Sequence, residues 1–369
     1  MKEGWEYKTL GEVAKIIHGK NQKDVLSDDG KYPIYGSGGN IIGYSKEYLC
    51  TAGTTILGRK GSINNPFFIE ENFWNVDTAF GISAKDNYSS KFIFYYCKSK
   101  DWNKLNTGTT LPSLTQSVVK SQIIAVPSYD EQRRIVSYLD SSFKLIDEIK
   151  NKALKSLTEA KALFQSALAE AMEPKEGWEE KTLGEVSENI KNINWKNESS
   201  AYKYIDLSSV DRDKSIILNT VIVNKTNAPS RAKQLVNKND IIFATTRPLL
   251  RRVTLIEKEY DKSICSTGFC VIRPNSNIIV PKYVFYVFKD EPFYQYIEPL
   301  QNGASYPAVT DKAVKSYTFS FPKNVEVQKQ IVSRLDKLSS KVRAIEEKYQ
   351  KMVEECDALK QAMLRDVFE

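Results

Sequence analysis

The sequence predicts an α/β (α+β) protein built from two similar globular domains in tandem, each followed by one long helix. Three observations carry this. The opening Lys2-Glu3-Gly4-Trp5-Glu6-Tyr7-Lys8-Thr9-Leu10-Gly11-Glu12-Val13 returns as Lys175-Glu176-Gly177-Trp178-Glu179-Glu180-Lys181-Thr182-Leu183-Gly184-Glu185-Val186, changed only where Tyr7 becomes Glu180. The closing Gln132-Arg133-Arg134-Ile135-Val136-Ser137-Tyr138-Leu139-Asp140 is echoed by Gln328-Lys329-Gln330-Ile331-Val332-Ser333-Arg334-Leu335-Asp336. Neither glycine nor proline occurs from Glu131 to Met172 or from Glu326 to Glu369. A repeat period far above the roughly 20–50 residues of stacked solenoids means duplicated domains. The expected division is a first globular domain over 1–130, a helix over 131–173, a second globular domain over 174–325 and a helix over 326–369.

The first globular stretch alternates short β-branched and aromatic runs with glycine clusters, as in Tyr32-Pro33-Ile34-Tyr35-Gly36-Ser37-Gly38-Gly39 and Thr54-Thr55-Ile56-Leu57-Gly58. That pattern predicts strands, loops and a few short helices. The second follows the same style, with strands expected at Ile241-Ile242-Phe243-Ala244 and Phe269-Cys270-Val271-Ile272. Between the repeated ends the halves agree less. Lys91-Phe92-Ile93-Phe94-Tyr95-Tyr96 still matches Lys282-Tyr283-Val284-Phe285-Tyr286-Val287, and Gly108, Pro112 and Lys120 match Gly303, Pro307 and Lys315. The frame repeats while the content differs.

In the second glycine-free stretch, Ile331, Leu335, Leu338, Val342, Ile345, Tyr349, Met352, Cys356, Leu359 and Met363 alternate in steps of four and three, the pattern of a coiled-coil seam. The matching seam in the first helix is Ile135, Leu139, Ser142, Ile146, Ile149, Ala153, Ser156, Ala160, Leu163 and Ala167, in which small residues are frequent. A large seam facing a small one predicts that the two helices pack closely, and a duplicated chain closing with pseudo-twofold symmetry would run them antiparallel. Roughly 40 helical residues span ~60 Å, more than one small domain needs, which points to a spacer between the globular domains.

Composition bounds the function. The 369 residues, 41% hydrophobic and 11% aromatic, suffice for two ordinary cores. No stretch reaches the ~18 apolar residues of a membrane span, and the first residues lack the apolar core of a secretory signal, so no membrane and a cytoplasmic location are expected. The five cysteines are scattered without a C-x-x-C pair, so reduced buried thiols are expected rather than disulfides or zinc. A single histidine, His18, excludes histidine-based triads and His-rich metal sites. Gly36-Ser37-Gly38-Gly39 lacks the third glycine of a dinucleotide fingerprint and the lysine of a phosphate loop. Asn64-Asn65-Pro66-Phe67-Phe68 resembles the Asn-Pro-Pro-aromatic motif of amino-group DNA methyltransferases, but one proline is missing and no glycine-rich methyl-donor site precedes it; a turn is expected. No catalytic residue, cofactor site or metal site is expected in this chain.

A formal charge of +7 is modest, and its placement matters more. Basic, hydroxyl and aromatic residues cluster in loops marked by glycine or proline: Lys20, Lys23, Lys46, Arg59, Lys60 and Thr109 in the first domain, and Arg231, Lys233, Arg247, Arg251, Arg252, Ser305 and Tyr306 in the second. Lysine and arginine pair with phosphates, glycines permit close backbone approach, and arginine, serine and threonine read base edges. Arg59-Lys60 between Gly58 and Gly61, and Arg247 before Pro248, are the most rigidly framed.

At this point the chain resembles the specificity subunits of Type I restriction-modification systems. The resemblance rests on Gly-Trp-x-x-Lys-x-Leu-Gly-Glu-Val at 4–13 and 177–186, the stretches at 32–39 and 58–62, and the helix entry from Pro127 through Glu131-Gln132-x-x-Ile135. It departs at the second entry, Val325-Glu326-Val327-Gln328, where Val327 separates the usual Glu-Gln pair and Glu326 is expected to cap the helix. The resemblance implies two target-recognition domains, each reading half of a split, asymmetric site in double-stranded DNA. It implies that the helices act as a ruler and as the dock for two methylation subunits, with restriction subunits joining. S-adenosylmethionine, and ATP with magnesium for restriction, would then sit on those partners. The seam residues expected to build the spacer are Leu139, Ile146, Ile149, Leu163, Leu335, Val342, Ile345, Met352 and Leu359. Two other readings fit the residues: a specificity subunit serving a methyltransferase without restriction, and a noncatalytic coiled-coil scaffold whose globular domains bind protein. An enzyme is the third.

Overall fold

The computed structural model describes residues 4–369, so Lys2 and Glu3 of the first repeat lie outside the described residues. The chain forms two compact units, Met1–Lys155 with Tyr349–Glu369, and Ser156–Lys348. The division falls inside the two long helices, Tyr129–Met172 and Val325–Phe368, so each unit holds one globular body and half of each helix.

The two bodies repeat one topology. In the first unit an open antiparallel sheet has the order Ala14–His18, Ala79–Ala84, Thr54–Gly58, Phe67–Ile69. In the second the order is Ser187–Glu188, Phe269–Pro274, Ile241–Ala244, Val253–Leu255. The central strands Thr54–Gly58 and Ile241–Ala244 are buried throughout, the second as its continuous apolar run requires. A second sheet joins Ile41–Ser45, Tyr32–Tyr35 and Trp74–Asn75, the last two parallel. Its counterpart joins Val221–Val223, Tyr202–Ile205 and Ser263–Ser266, again with the last two parallel, and adds Ala232–Val236. The repeated openings form strands Glu6–Thr9 and Trp178–Thr182, paired with Ile123–Val126 and Thr318–Pro322. After each, a carboxylate closes the next turn: Thr9 N donates to Glu12 Oε2 at 2.6 Å and Thr182 N to Glu185 Oε2 at 2.7 Å. Leu10, Val13, Leu183 and Val186 are thereby turned into the cores.

The repeated helix entries hold each long helix to its body by one device. Gln132 is buried; its amide oxygen accepts from Ser89 N at 2.9 Å and its amide nitrogen donates to the Pro127 carbonyl at 3.0 Å. Gln328, also buried, accepts from Val280 N at 2.8 Å and donates to the Pro322 and Ile278 carbonyls. Ser89 and Val280 are the N-caps of the short helices Ser90–Ser99 and Pro281–Val287, so each glutamine satisfies an otherwise orphaned amide. Two turns on, Asp140 accepts from Tyr95 and pairs with Lys91 at 3.1 Å, while Asp336 accepts from Tyr286 at 2.6 Å and pairs with Lys282 at 2.9 Å. Burial first, and then the adjacent carboxylate, push both phenols up, so they stay neutral and donate. The sequence expectation that Glu326 caps the second helix is corrected. Asn324 Oδ1 accepts from Glu326 N at 2.8 Å, and the preceding loop absorbs the extra residue, leaving Gln328 where the first unit has Gln132.

Within the first unit the helices run antiparallel, since Asp147 pairs with Lys360 and Lys150 with Asp357. In the second unit Glu170 meets Arg334. Leu139, Ile146, Ala153 and Ala160 form a buried row spaced by sevens, and Leu335, Val342 and Cys356, with half-buried Tyr349 at the intervening position, a second. Met352 is half-buried. The other half of the expected seam is different: Ile149, Leu163, Ile345 and Leu359 are 42%, 59%, 39% and 51% exposed. The residue after each of these, Lys150, Phe164, Glu346 and Lys360, is half-buried, so the contact face is rotated one residue away from the expected second seam position. The helix ends join the globular cores, with Leu139, Leu364 and Phe368 in the first and Leu168, Ala171 and Leu335 in the second.

The glutamine anchors are open to test. Gln328→Ala removes the partner of the half-buried Val280 amide and a bond to each of the Ile278 and Pro322 carbonyls, and is expected to lower stability by ~1–3 kcal/mol in urea unfolding followed by circular dichroism. An unchanged midpoint would show that the anchor is dispensable.

Candidate nucleic-acid interface

In each unit the central strand runs out into a loop held by three main-chain bonds. In the first, Arg59 N donates to the Thr78 carbonyl, Leu114 N to the Arg59 carbonyl, and Gly61 N to the Pro112 carbonyl. In the second, Thr245 N donates to Gly268, Val309 N to Thr245, and Arg247 N to Pro307. Bridges Lys60↔Ser113 and Thr246↔Ala308 complete the match. Arg59, Lys60 and Gly61 therefore stand at the places of Thr245, Thr246 and Arg247. The backbone is left-handed at the last of them in both units, φ +79° at Gly61 and +50° at Arg247. Glycine adopts this freely, whereas arginine does so at a cost on the order of 1–3 kcal/mol. Gly58 is required for another reason: a Cβ there would lie 2.1 Å from the Ser62 carbonyl oxygen.

The structure gathers part of the expected basic set. In the first unit Arg59 and Lys60 lie beside the loop that carries Thr109, whose turn is built by Asn106 Oδ1 accepting from Gly108 N and Ser113 N at 2.8 Å. Lys20 joins them through Lys20 N to the Asn75 carbonyl, on the same 75–79 segment that Arg59 bonds. Arg59 Nε donates to the Asp77 carbonyl at 2.8 Å, which directs its guanidinium. Lys23 is exposed in a neighbouring turn. Lys46 follows an edge strand of the other sheet and is paired with Asp29 at 3.0 Å.

In the second unit Arg231 approaches the same turn as Thr245, its carbonyl accepting from Thr267 N, and Lys233 is exposed two residues along that strand. Arg247 is exposed; its guanidinium lies 4.8 Å from the Tyr306 ring centre and donates to the Ser305 carbonyl at 3.5 Å. Arg251 is committed elsewhere, ion-paired with Glu291 at 2.7 Å and stacked 4.1 Å from the Tyr294 ring. Arg252 is half-buried, and its carbonyl accepts from Ala244 N. Sequence reasoning missed the pairing of Arg251 with Glu291, because Glu291 opens a helix 40 residues further along the chain and nothing in their spacing signals it.

Other candidates resolve into structural roles. His18 packs edge-on against Phe80. Gly36–Gly39 forms the turn between strands Tyr32–Tyr35 and Ile41–Ser45, and Asn64 Oδ1 accepts from Trp102 N at 2.6 Å. All five cysteines are free and buried, and burial pushes the thiols of Cys50, Cys97, Cys265 and Cys270 up. Among the described residues no group of three or more His, Cys, Asp or Glu is placed to hold a metal, and no helix is long and apolar enough to cross a membrane. A hollow of about 550 Å³ in the first unit is lined by Glu70, Glu71 and Asp140 with Lys91, the wrong balance of charge for a polyanion.

Comparison with known proteins agrees with this duplicated frame. The family model for the Type I restriction modification DNA specificity domain matches twice, over residues 2–159 and 175–355. The HindI Type I restriction enzyme specificity subunit of Haemophilus influenzae is 28% identical over 167 residues, 45% of this chain and 36% of that protein. The MjaVIII specificity subunit of Methanocaldococcus jannaschii is 22% identical over 371 aligned positions, 92% of this chain and 87% of that protein. Among solved structures, a chain from a study of assembly and conformational transition of the type I R-M system superposes with TM-score 0.75 at 18% identity, covering 99% of this chain and 97% of the other. The HsdS subunit of Thermoanaerobacter tengcongensis superposes with TM-score 0.54 at 18% identity, covering 100% and 97%. With both family matches lying on the two repeated units, the chain belongs to the Type I restriction-modification DNA specificity family and carries its domain twice.

Proposed function

We propose that this chain is the noncatalytic DNA-reading subunit of a Type I restriction-modification assembly, each globular body reading one half of a split, asymmetric site in double-stranded DNA. One observation carries the reading: the same hydrogen-bonded loop frame presents Arg59-Lys60-Gly61 in one unit and Thr245-Thr246-Arg247 in the other. Identical frames give both units the same approach to a duplex, and different side chains in the frame give them different base preferences. An identical pair would call for a palindrome. Lys20, Lys23, Lys60, Arg231 and Lys233 supply phosphate contacts around each frame.

The long helices have two tasks in this reading. Each is anchored at its start by a buried glutamine and ends in the other unit's core, so together they set the separation of the half-sites. Their exposed row, Ile149, Leu163, Ile345 and Leu359, offers apolar surface for two methylation subunits, which restriction subunits join. Those partners would hold S-adenosylmethionine and, for restriction, ATP and magnesium. The assembly would act in the cytoplasm.

Methylation mapping by single-molecule sequencing tests the reading, on DNA from a methylation-free host that expresses the neighbouring methyltransferase with and without this chain. A split motif present only with the chain is the expected result; no chain-dependent motif from two soluble, associated proteins would refute it. Arg59→Ala is expected to relax one position of one half-site, with a loss of ~1–3 kcal/mol in competition binding, and to leave the other half-site intact. Removing one heptad from both helices, ~10 Å at ~1.5 Å per residue, is expected to shorten the gap by about three base pairs while both half-sites persist. An unchanged gap would end the ruler idea.

A further inference from the structure

The two units differ most sharply at the left-handed position of the matched loops. Gly61 answers a purely backbone demand, since its amide must reach the Pro112 carbonyl with φ +79°, and a Cβ there would meet no atom within 4 Å. Arg247 meets the same demand, its amide on the Pro307 carbonyl at 2.6 Å, with a side chain that this backbone disfavours. Glycine would serve the fold better. The nearby Arg251, also left-handed at φ +56°, has a structural return in its ion pair with Glu291 and its stacking on Tyr294. Arg247 has no such return. Its guanidinium lies against the face of Tyr306, itself 69% exposed, and bonds a carbonyl of the same loop at 3.5 Å. A strained residue kept in place of glycine, with its charge held out by an exposed ring, marks a site where position counts for more than stability.

We propose that Arg247, stacked on Tyr306, is the guanine-reading side chain of the second unit, and that the first unit has no counterpart to it because Gly61 fills the place. Stacking fixes the guanidinium plane, and its edge makes a long 3.5 Å contact from Nη2 to the Ser305 carbonyl, which leaves the other edge donors for a base. Two parallel N–H donors match the O6 and N7 acceptors of guanine in the major groove, a pairing that a lysine cannot reproduce in the same geometry. Tyr306 is a positioning residue: it holds the plane and makes no base contact itself. This inference rests on the DNA-reading function proposed above.

The test uses the complete chain with its methyltransferase, comparing motifs and competition binding for wild type, Arg247→Gly, Arg247→Lys and Tyr306→Ala. Arg247→Gly is expected to fold at least as well as wild type, because glycine suits φ +50°, and thermal unfolding checks this. In its motif one guanine of the second half-site becomes degenerate, with preference reduced roughly 10–100-fold, while the first half-site is unchanged. Arg247→Lys loses the same preference while keeping salt-dependent affinity, and Tyr306→Ala weakens it partially. A split wild-type motif whose second half-site survives Arg247→Gly overturns this inference alone. Lysine rescue, or equal loss on all DNA, assigns Arg247 to a phosphate and overturns it as well. Absence of any chain-dependent motif in wild type overturns the DNA-reading function with it.

Discussion

The structure depends on how each long helix is tied to its globular body. Gln132 and Gln328 are buried amides that both accept from and donate to main-chain groups. A buried amide is costly unless satisfied, so such a side chain fixes one geometry and penalises alternatives. Ser89 and Val280 need a partner for the first amide of a short helix, and the glutamine supplies it from the first turns of a long one. The Tyr95–Asp140–Lys91 and Tyr286–Asp336–Lys282 contacts repeat the constraint further along. Helix direction is thereby set by the body from which the helix leaves.

Against that constant frame the loops vary. The central strands end at the same register, and the three main-chain bonds that follow are matched one for one, yet Arg59, Lys60 and Gly61 differ in every side chain from Thr245, Thr246 and Arg247. Main-chain hydrogen bonds define a loop without regard to side-chain identity, so a duplicated chain can keep its scaffold and change its chemistry independently in each copy. Arg247 shows the limit of that freedom, because its backbone conformation favours glycine. The helices show the same economy. One heptad row is buried, and the apolar Ile149, Leu163, Ile345 and Leu359 stay exposed within the chain.

Much of the architecture was legible in the sequence. The long helices, found at Tyr129–Met172 and Val325–Phe368, were marked by the absence of glycine and proline, and the strands Ile241–Ala244 and Phe269–Pro274 by short apolar runs between breakers. The shared loop frame left a trace in the matching of Gly108 and Pro112 with Gly303 and Pro307. Less legible were the row of the seam that is buried and the fate of individual cations. Ile149 and Leu163 satisfy a heptad pattern as well as Ile146 does, and only the path of the facing helix separates them. Arg251 and Arg247 are four residues apart, yet Glu291 neutralises one and Tyr306 displays the other.

The sequence by itself determined the duplication and the alternation of α/β bodies with long helices, because repetition, helix propensity and breaker placement are properties of neighbouring residues along one chain, and its motifs at 4–13 and 177–186 carried the family resemblance. The tertiary structure decided which residues share a surface. Gly61 meets Pro112, Arg247 meets Pro307 and Gln328 meets Val280 across tens of residues of intervening chain. Contacts of that kind arise from strand register and loop closure, which bring distant residues together without leaving a local pattern to read.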